Sequence, residues 1–383
     1  MRTVIFSPLL ILLFLLSNPL FAQYTYEVST LLPQNSNLVD DGLCVDKNGN
    51  LYGSYWGVWP SAPGTHVFRY RPNGTYDTLA TGFVHPNGMS FHKGKVLVAD
   101  AGNGRIASID TAGTVTTFAT LSGISNVIPV PGTDSLIAVS WGRNRVFGVS
   151  PTGTVSVLSR SSLFNGPAGA AIDTLGRLYI ANFNNGLITR ITNGTVEVFA
   201  DLGGGIGFIT YSDGAILATN HLTKRVFRIP VNGLGTEIIA GNGDTLMVDG
   251  PGATASFLSP NGIVATSTGD TIYVSEGEGK ALRRIIRKRV ALNNQSLDNT
   301  VPRLPITYPI PTSGMIYFDQ LEHSKVGLGI IQNMSGQVIH KIANTDFMQG
   351  QLDVSFLPNG LYELTVLTPA GEPYFQVRLP IIK

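Results

Sequence analysis

Apolar runs of strand length, separated by tight-turn signals, recur six times along residues 42–289. Each copy contains an apolar strand, a tight turn, a second apolar strand that ends in a small or polar residue, and then two further strands. The copies begin at Gly42, Gly88, Val127, Gly169, Gly207 and Gly262. Spacings of roughly 40 to 55 residues are typical of β-propeller blades, each a sheet of four short strands.

Turn residues support this assignment of strands. Between the first and second strands of each copy lie residues that tolerate positive φ, as hairpin turns require. These residues are Asn48-Gly49, Lys93-Gly94, Gly132, Gly176, Asp213-Gly214 and Gly269-Asp270. We therefore expect a tight hairpin in every copy.

The outer strands predict how the two ends of the repeat region meet. Five copies have a fourth strand that begins with threonine: Thr75–Leu79, Thr114–Phe118, Thr154–Leu158, Thr195–Phe199 and Thr236–Ile239. The sixth copy has none after Arg289, but a matching segment, Thr25–Leu31, precedes the first copy. We predict an all-β fold, a six-bladed β-propeller closed by the N-terminal strand, which supplies the outer strand of the last blade.

The N-terminus has the composition of a signal peptide. Arg2 precedes the apolar run Val4–Leu16, and Ala22 offers a small residue for cleavage before Gln23. This run is too short for a permanent membrane span, and no other stretch is long and apolar enough. We predict that residues 1–22 are removed and that the mature chain has no transmembrane segment.

A second pattern of short strands follows a polar, proline-containing linker at residues 291–305. The predicted strands are Met315–Asp319, Lys325–Gln332, Gln337–Ile342, Gln351–Val354, Leu361–Leu367 and Tyr374–Ile382. Several of them are separated by turn signals such as Ser335-Gly336. The chain thus divides into a propeller at residues 23–290, the linker, and a small C-terminal β-sandwich at residues 306–383.

Composition indicates a globular protein without a nucleic-acid partner. Hydrophobic residues make up 43% and charged residues 13% of the chain, which argues against disorder. The net charge of +1 gives no overall field that would attract nucleic acid. The basic run Lys280–Arg289 is predicted to be a solvated third strand with its charges divided between two faces. Cys44 is the single cysteine, so no intramolecular disulfide can form.

The C-terminal residues carry several motifs in order. They are Tyr308–Gly314, Gly329–Ile339, Leu352–Tyr362 and the basic end Ile381–Lys383. These segments resemble type A C-terminal sorting domains of the type IX secretion system, from the opening turn to the chain terminus. Ile310 departs from the family, which usually has Asn at that position.

This resemblance implies a secretion route. The signal peptide would direct the chain to the periplasm of a Gram-negative bacterium, and residues 306–383 would contact the outer-membrane secretion machinery. In that family the tail is usually removed, and the protein is released or attached to the cell surface. We therefore expect a secreted or cell-surface protein.

The propeller region resembles NHL-repeat proteins. The resemblance rests on Asp249–Phe257, Leu258–Ile263 and Asp270–Ser275 in the sixth copy and on Ala99–Ile106 in the second. It implies the six-bladed superfamily that includes the gluconolactonases and senescence-marker proteins. This resemblance covers residues 24–290.

One end of the predicted propeller collects polar and aromatic residues. In a four-stranded meander, the start of the first strand and the end of the second strand lie at the same end of the blade. The candidate ligand-binding residues at this mouth are Asp41, Trp56, Asn87, Asp100, Asn126, Trp141, Asn182, Asn220, His221, Asn261 and Glu276. We expect them to bind an extracellular glycan, peptide or protein. A structural role for Asn87 and Asn261, in closing tight connections, remains open.

A metal-dependent lactonase, hydrolase or lyase is the alternative. The resemblance to gluconolactonases implies a divalent ion such as Ca²⁺ at the mouth, with Asn87 at one ligand position and Asp41 as an acidic ligand. Ala168, however, occupies a place where a polar ligand is expected, and no second carboxylate is evident. Without it, a metal-activated water lacks a proton acceptor. The sequence therefore favours binding over catalysis and names no catalytic residue.

Overall fold

The structure, a computed structural model, describes residues 24–232, 235–289, 306–308, 314–319, 321, 323–333, 338–347, 351–371 and 373–381. These residues belong to two compact units, one before and one after the predicted linker. The predicted signal peptide (residues 1–22) and the linker (residues 291–305) lie outside the described residues. No helix in the described part of the chain has the length and apolar character needed to cross a membrane.

The described residues of the first unit form six antiparallel sheets of four or five strands. Five of them each contain consecutive strands of one sequence copy. The first consists of β2 (Leu43–Val45), β3 (Leu51–Ser54), β6 (His66–Tyr70) and β7 (Tyr76–Thr81), with a hairpin of β4 (Gly57–Val58) and β5 (Ala62–Pro63) between β3 and β6. The second consists of β8 (Pro86–His92), β9 (Lys95–Asp100), β10 (Arg105–Ile109) and β11 (Val115–Thr120).

The next three sheets repeat this order. The third consists of β12 (Ile124–Pro129), β13 (Leu136–Ser140), β14 (Arg145–Val149) and β15 (Val155–Arg160). The fourth consists of β16 (Pro167–Ile172), β17 (Leu178–Asn182), β18 (Leu187–Thr192) and β19 (Thr195–Asp201). The fifth consists of β20 (Ile206–Ser212), β21 (Ala215–Asn220), β22 (Arg225–Pro230) and β23 (Glu237–Ala240).

The sixth sheet contains strands from both ends of the unit. It consists of β25 (Pro260–Ala265), β26 (Thr271–Glu276), β27 (Ala281–Arg289), β1 (Tyr24–Leu32) and, at its edge, β24 (Gly250–Pro251). β1 pairs antiparallel with β27 along its length, from Tyr24 opposite Arg289 to Leu32 opposite Leu282. Tyr26 and Val28 are buried in the core beside this pairing.

The first strands of successive sheets pack against one another in order, from β2 to β25, and β25 contacts β2 in turn. Glycine permits this approach. A Cβ atom at Gly42 would lie 2.6 Å from the carbonyl oxygen of Asn87, and one at Gly207 would lie 2.7 Å from that of Asn261. The glycines that open most sequence copies are therefore required where the sheets converge.

The predicted turns are confirmed. Gly49, Gly94 and Gly176 have positive φ, and so do the non-glycine residues Lys93 and Asp213. The fourth strands also lie within a few residues of their predicted positions, as β7, β11, β15, β19 and β23. Local turn chemistry and strand periodicity were sufficient to locate these elements.

The basic strand β27 differs from its prediction. Arg283 is fully buried, where it forms ion pairs with Glu276 (3.2 Å) and Asp249 (2.8 Å). Arg287 is also largely buried and lies 2.6 Å from a carboxylate oxygen of Asp213. The prediction of a solvated strand is wrong for these two arginines, because acidic side chains from neighbouring segments pair with them.

The described residues of the second unit form two antiparallel sheets. One consists of β28 (Ile306–Tyr308), β29 (Met315–Asp319) and β32 (Gln351–Asp353). The other consists of β30 (Leu328–Asn333), β31 (Val338–Ala343), β33 (Gly360–Leu367) and β34 (Pro373–Ile381). Short 3-10 helices span His323–Lys325 and Asn344–Phe347. The first of these helices includes Lys325, where the strand was predicted to begin, and β30 begins instead at Leu328. β28 was not predicted.

A single cluster of buried side chains joins both sheets of this unit. It includes Ile316 and Leu352 from the smaller sheet and Ile331, Leu364 and Leu379 from the larger one. Two sheets that share one apolar core form a sandwich, as the alternating pattern predicts.

Candidate functional site

A cavity of about 830 Å³ lies at the end of the first unit where first strands begin and second strands end. All six sheets contribute to it, through residues at or just before the beginnings of their first strands and through the loops after their second strands. Its side chains include Asp40, Asp41, Trp56, Trp59, Asn87, Ile124, Ser125, Trp141, Ala168, Phe183, Phe208, His221, Asn261 and Glu278. This is the volume of a small-molecule site.

The structure brings six of the predicted site residues together at this cavity: Asp41, Trp56, Asn87, Trp141, His221 and Asn261. The other five do not line it. Asn126 is buried beside a smaller cavity of about 240 Å³, where its side-chain oxygen accepts a hydrogen bond from the amide of Val127. Asp100, Asn182, Asn220 and Glu276 are fully buried.

These four residues occupy one repeat position, the last residue of a second strand. Asp100 accepts a hydrogen bond from the amide of Val84, and Asn182 accepts one from Asn165, both in the segment before the first strand. Glu276 accepts one from Ser259 at 2.7 Å. Asn220 donates to the carbonyl of Leu202 at 3.0 Å. Each side chain thus fastens the end of a second strand, by a hydrogen bond, to the segment that leads into the first strand of the same sheet. The sequence pattern gave no means to separate these fastening residues from ligand-binding ones.

The first wall of the cavity is an aromatic cluster on an inserted loop. The connection between β3 and β6 (residues 55–65) is longer than the turns at this position in other sheets, such as residues 101–104. The rings of Trp56 and Trp59 lie 6.3 Å apart, and that of His85 lies within 4.8 Å of both. Nδ1 of His85 donates to the carbonyl of Trp56 at 2.9 Å. Sequence reasoning missed Trp59 and His85, although the loop length was a usable signal.

The second wall contains Trp141, Phe183 and His221. The rings of Trp141 and Phe183 are 5.1 Å apart, and those of Phe183 and His221 are 6.2 Å apart. Glu278 approaches Nε2 of His221 to 3.8 Å. Burial, and then the nearby charge of Lys224, lower the pKa of His221. The imidazole is therefore mostly neutral at pH 7.

Two adjacent carboxyl groups, those of Asp40 and Asp41, and the side-chain amide of Asn261 also line the cavity. Asp40 accepts hydrogen bonds from the amides of Trp56 (2.5 Å) and Gly57 (3.0 Å). Asn261 donates to Oδ1 of Asp41 at 2.9 Å. Burial raises the pKa of Asp40 to about 7. Burial and the adjacent Asp40 raise the pKa of Asp41 well above its usual value. Asp40 was missed in the sequence, although Asp41 beside it was identified.

The residues present do not fit the metal site of the gluconolactonases. Ala168 and Phe208 line the cavity with apolar groups, whereas a hard cation needs several oxygen ligands. Within the described residues, no three His, Cys, Asp or Glu side chains come together as a group able to hold a metal ion. The donor set is that of a polar cavity with aromatic walls.

Residues 307–372 match the family model of the secretion system C-terminal sorting domain. This confirms the sequence-based recognition of a type IX sorting domain in the tail. A domain of this kind indicates secretion or attachment to the cell surface. No curated protein matches the sequence.

The first unit is similar to several solved structures. A Bacteroides thetaiotaomicron protein of unknown function has a TM-score of 0.59 at 15% identity, over 70% of this chain and 77% of that one. An auxiliary nutrient binding protein of the same organism has a TM-score of 0.56 at 14% identity, over 70% and 78% of the two chains. A gluconolactonase from Xanthomonas campestris has a TM-score of 0.55 at 14% identity, over 69% and 90%.

These neighbours are β-propeller proteins, and the likeness confirms the predicted all-β, propeller-type fold. Identities this low establish the fold alone, because one fold supports many functions.

Proposed function

We propose that this protein is a secreted or surface-attached β-propeller that binds a glycan, peptide or protein ligand in the cavity described above. The six sheets would be the six blades of one propeller, closed by β1 as the outer strand of the last blade. The proposed site consists of Asp40, Asp41, Trp56, Trp59, Asn87, Trp141, His221 and Asn261. The fully buried fastening residues are not part of it.

One observation carries this proposal. The chain contains three tryptophans, and all three, Trp56, Trp59 and Trp141, line the same cavity. Trp59 is 66% and Trp141 40% exposed. Large rings left in solvent at one concave site are costly unless a ligand covers them, and rings of this kind dominate the energetics of ligand and protein recognition.

The proposed export route uses a segment at each end of the chain. Residues 1–22 would direct export to the periplasm of a Gram-negative bacterium, and residues 306–383 would engage the outer-membrane secretion machinery. Residues 291–305 would link the propeller, residues 23–290, to this tail. The sorting domain supports the second step of this route.

Intrinsic tryptophan fluorescence of the full chain tests the binding proposal, because every tryptophan reports on the cavity. Panels of soluble glycans and short peptides are titrated, and emission is recorded. We expect a saturable change with at least one class of ligand. A spectrum unchanged by all classes, in protein shown to be folded by circular dichroism, would contradict the proposal.

Acid–base catalysis on a lactone or a related ester is a second candidate, favoured by Asp40. A carboxyl in a cavity with a pKa of about 7 can donate or accept a proton at neutral pH. The reaction would use this chain's own carboxyls, since the donor set does not fit a metal. Turnover of lactone substrates that is lost in Asp40→Asn, with ligand binding retained, would support it. Equal turnover in the variant would exclude Asp40 as the acid or base.

A further inference from the structure

The ionisable side chains that line the cavity are acidic, apart from one histidine. Its lining contains three carboxyl groups, those of Asp40, Asp41 and Glu278. Among the described residues that line it, none is Lys or Arg, and His221 is the one side chain able to become positive. Its lowered pKa keeps that imidazole mostly neutral at pH 7. An anionic ligand would therefore find no positively charged partner in the lining at pH 7.

Basic residues that follow the cavity-lining turns are held in other contacts. Lys280 donates to the hydroxyl of Tyr55 at 3.0 Å and lies over that ring. Arg105 lies 2.7 Å from a buried carboxylate, and Arg143 donates to Ser122. These contacts restrain the positive charges at positions from which they do not line the cavity.

Aromatic rings form much of the remaining wall. Trp56, Trp59, Trp141, Phe183 and Phe208 all line the cavity. The face of an aromatic ring carries negative potential and attracts a cation within about 6 Å of the ring centre. Rings and carboxyls thus favour the same kind of ligand charge.

Asp41 has carboxyl oxygen available to a ligand. The residue is nearly fully buried, and Oδ1 accepts the hydrogen bond from Asn261. Among the residues that the structure describes, none donates to the second oxygen, Oδ2. Burying an ionised carboxyl without full pairing is unfavourable, and burial together with the adjacent Asp40 raises the pKa of this group. A cation in the cavity would supply the missing partner and favour the ionised form.

The size of the cavity favours an organic cation over a bare metal ion. A volume of about 830 Å³ accommodates a small organic molecule. A divalent metal ion would instead need several ligands close together, and the described residues offer no group of three or more His, Cys, Asp or Glu side chains able to hold one.

We propose that the cavity binds an organic cation, a ligand with an ammonium group that pairs with Asp40 and Asp41 while the tryptophan rings enclose its apolar part. This inference rests on the proposed binding function and specifies the class of ligand. It excludes acidic sugars and other anions from the site.

The test uses the full chain and three small probes at constant ionic strength. Choline is the cation, 3,3-dimethyl-1-butanol is its uncharged isostere, and glucuronate is the anion. Tryptophan emission is recorded during each titration. We expect choline to saturate the change with an affinity at least about tenfold tighter than that of the isostere. Glucuronate is expected to give no change.

Two neutral substitutions identify the charge responsible. Asp41→Asn preserves the shape of the side chain, and we expect at least roughly tenfold weaker binding of choline with unchanged binding of the isostere. Asp110→Asn removes the same charge from an exposed turn, where the carboxylate accepts backbone hydrogen bonds, and should have no effect. If Asp41→Asn does not fold, Glu278→Gln, at an exposed position in the lining, replaces it, with an expected loss of about threefold.

The outcomes distinguish failure of the cation inference from failure of the proposed binding function. Equal affinity for choline and its isostere, or binding of glucuronate, would overturn the cation inference while the binding function stands. So would binding of a glycan or peptide without binding of choline, or choline binding that neither cavity substitution weakens. No change with any probe, glycan or peptide would overturn both.

Discussion

Asp40 shows how the fold changes the chemistry of a single carboxyl group. Its two oxygens accept backbone hydrogen bonds from Trp56 and Gly57, which favour the ionised form. Burial opposes them and is the larger effect, so the pKa rises to about 7. The inserted loop that contains Trp56 both holds this side chain and covers it.

The first prediction concerns the pH dependence of stability. Between about pH 4 and pH 7 the folded protein retains a proton on Asp40 that the unfolded chain releases. Stability from this group is therefore complete at low pH and is lost as the pH rises through about 7, by up to about 1.4 kcal/mol per pH unit. We expect Asp40→Asn to lose the part of this slope that comes from Asp40, while Asp41, whose pKa is also raised, keeps its own contribution. Urea unfolding of both proteins across this pH range measures the difference, and parallel curves would contradict the prediction.

The second prediction concerns Trp59. Because this ring is 66% exposed, Trp59→Ala should change the free energy of unfolding by less than about 0.5 kcal/mol. The same substitution should weaken ligand binding at the cavity roughly tenfold, because exposed aromatic anchors contribute strongly to binding. Leu175→Ala, another exposed apolar residue, is the control and should affect neither quantity. A large loss of stability with unchanged affinity would show that Trp59 is a packing residue.

The sequence was sufficient to place part of the site but not to separate roles within it. Asp41, Asn87 and Asn261 were located because the beginnings of first strands must meet where the sheets converge. Asp100 and Glu276, at the ends of second strands, belong to the same end of the blade, yet their side chains turn into the protein to accept backbone hydrogen bonds. Both groups are polar residues at this end of the blade. The direction of the side chain depends on which neighbouring amides lack a partner.

At the scale of the element, the recurring unit is a sheet whose second strand is fastened at its end. Ser54, Asp100, Ser140, Asn182, Asn220 and Glu276 occupy this position in the six sheets, and all are fully buried. The two serines have shorter side chains but also bond to backbone groups. Ser140, for example, donates to the carbonyl of Gly123 at 2.8 Å. A buried polar group at this point satisfies backbone groups that lie beyond the regular strand ladder.

The third prediction tests this fastening in the sixth sheet. Glu276→Ala removes the acceptor of the Ser259 amide and leaves Arg283 buried with one partner fewer. We expect a loss of about 3 kcal/mol in the free energy of unfolding, since breaking a buried ion pair leaves charge uncompensated. Glu278→Ala, in the loop after the same strand, is the matched control and should cost less than about 0.5 kcal/mol. Equal effects in urea unfolding would refute a special role for the strand end.

Elements with a repeating pattern were predictable, and the inserted loop was not. The alternation of apolar residues and the positive-φ turns located the strands of each sheet. The hairpin of β4 and β5 has neither periodicity nor a core-facing side, because Val58 and Ala62 are exposed. Its position depends instead on the Trp56–His85 contacts, which join residues far apart in the sequence.

At the scale of the whole molecule, β1 connects the beginning of the first unit to its end. Tyr26, Val28 and Leu32 are buried, and burial of each such side chain is worth about 1.5–3 kcal/mol. Their sum is comparable with the total stability of a typical domain. Without β1, the hydrogen-bonding edge of β27 would also be open to other chains.

The fourth prediction follows from the register of this strand. In the propeller unit, deletion of residues 24–32 should abolish cooperative unfolding and cause aggregation, as measured by calorimetry and size-exclusion chromatography. The control is a circular permutant in which a two-residue Asn-Gly turn joins Arg289 to Tyr24, since these residues are direct partners. We expect the permutant to fold as a monomer. A deletion variant as stable as the intact unit would contradict closure by the N-terminal strand.

The last prediction concerns the tail as a separate unit with a separate role. The described residues of the second unit have their own core, and the sorting-domain match lies within this part of the chain. Deletion of residues 306–383 should therefore leave the propeller folded and its ligand binding unchanged, because no residue of the proposed site is removed. In cells with a type IX system, we expect the truncated protein to accumulate inside the cell envelope while the full-length protein reaches the surface or the medium. Immunoblots of periplasmic, membrane and medium fractions, with tryptophan fluorescence of the purified variant, distinguish a sorting defect from misfolding. Truncated protein in the medium at the full-length level would show that the tail is not needed for export.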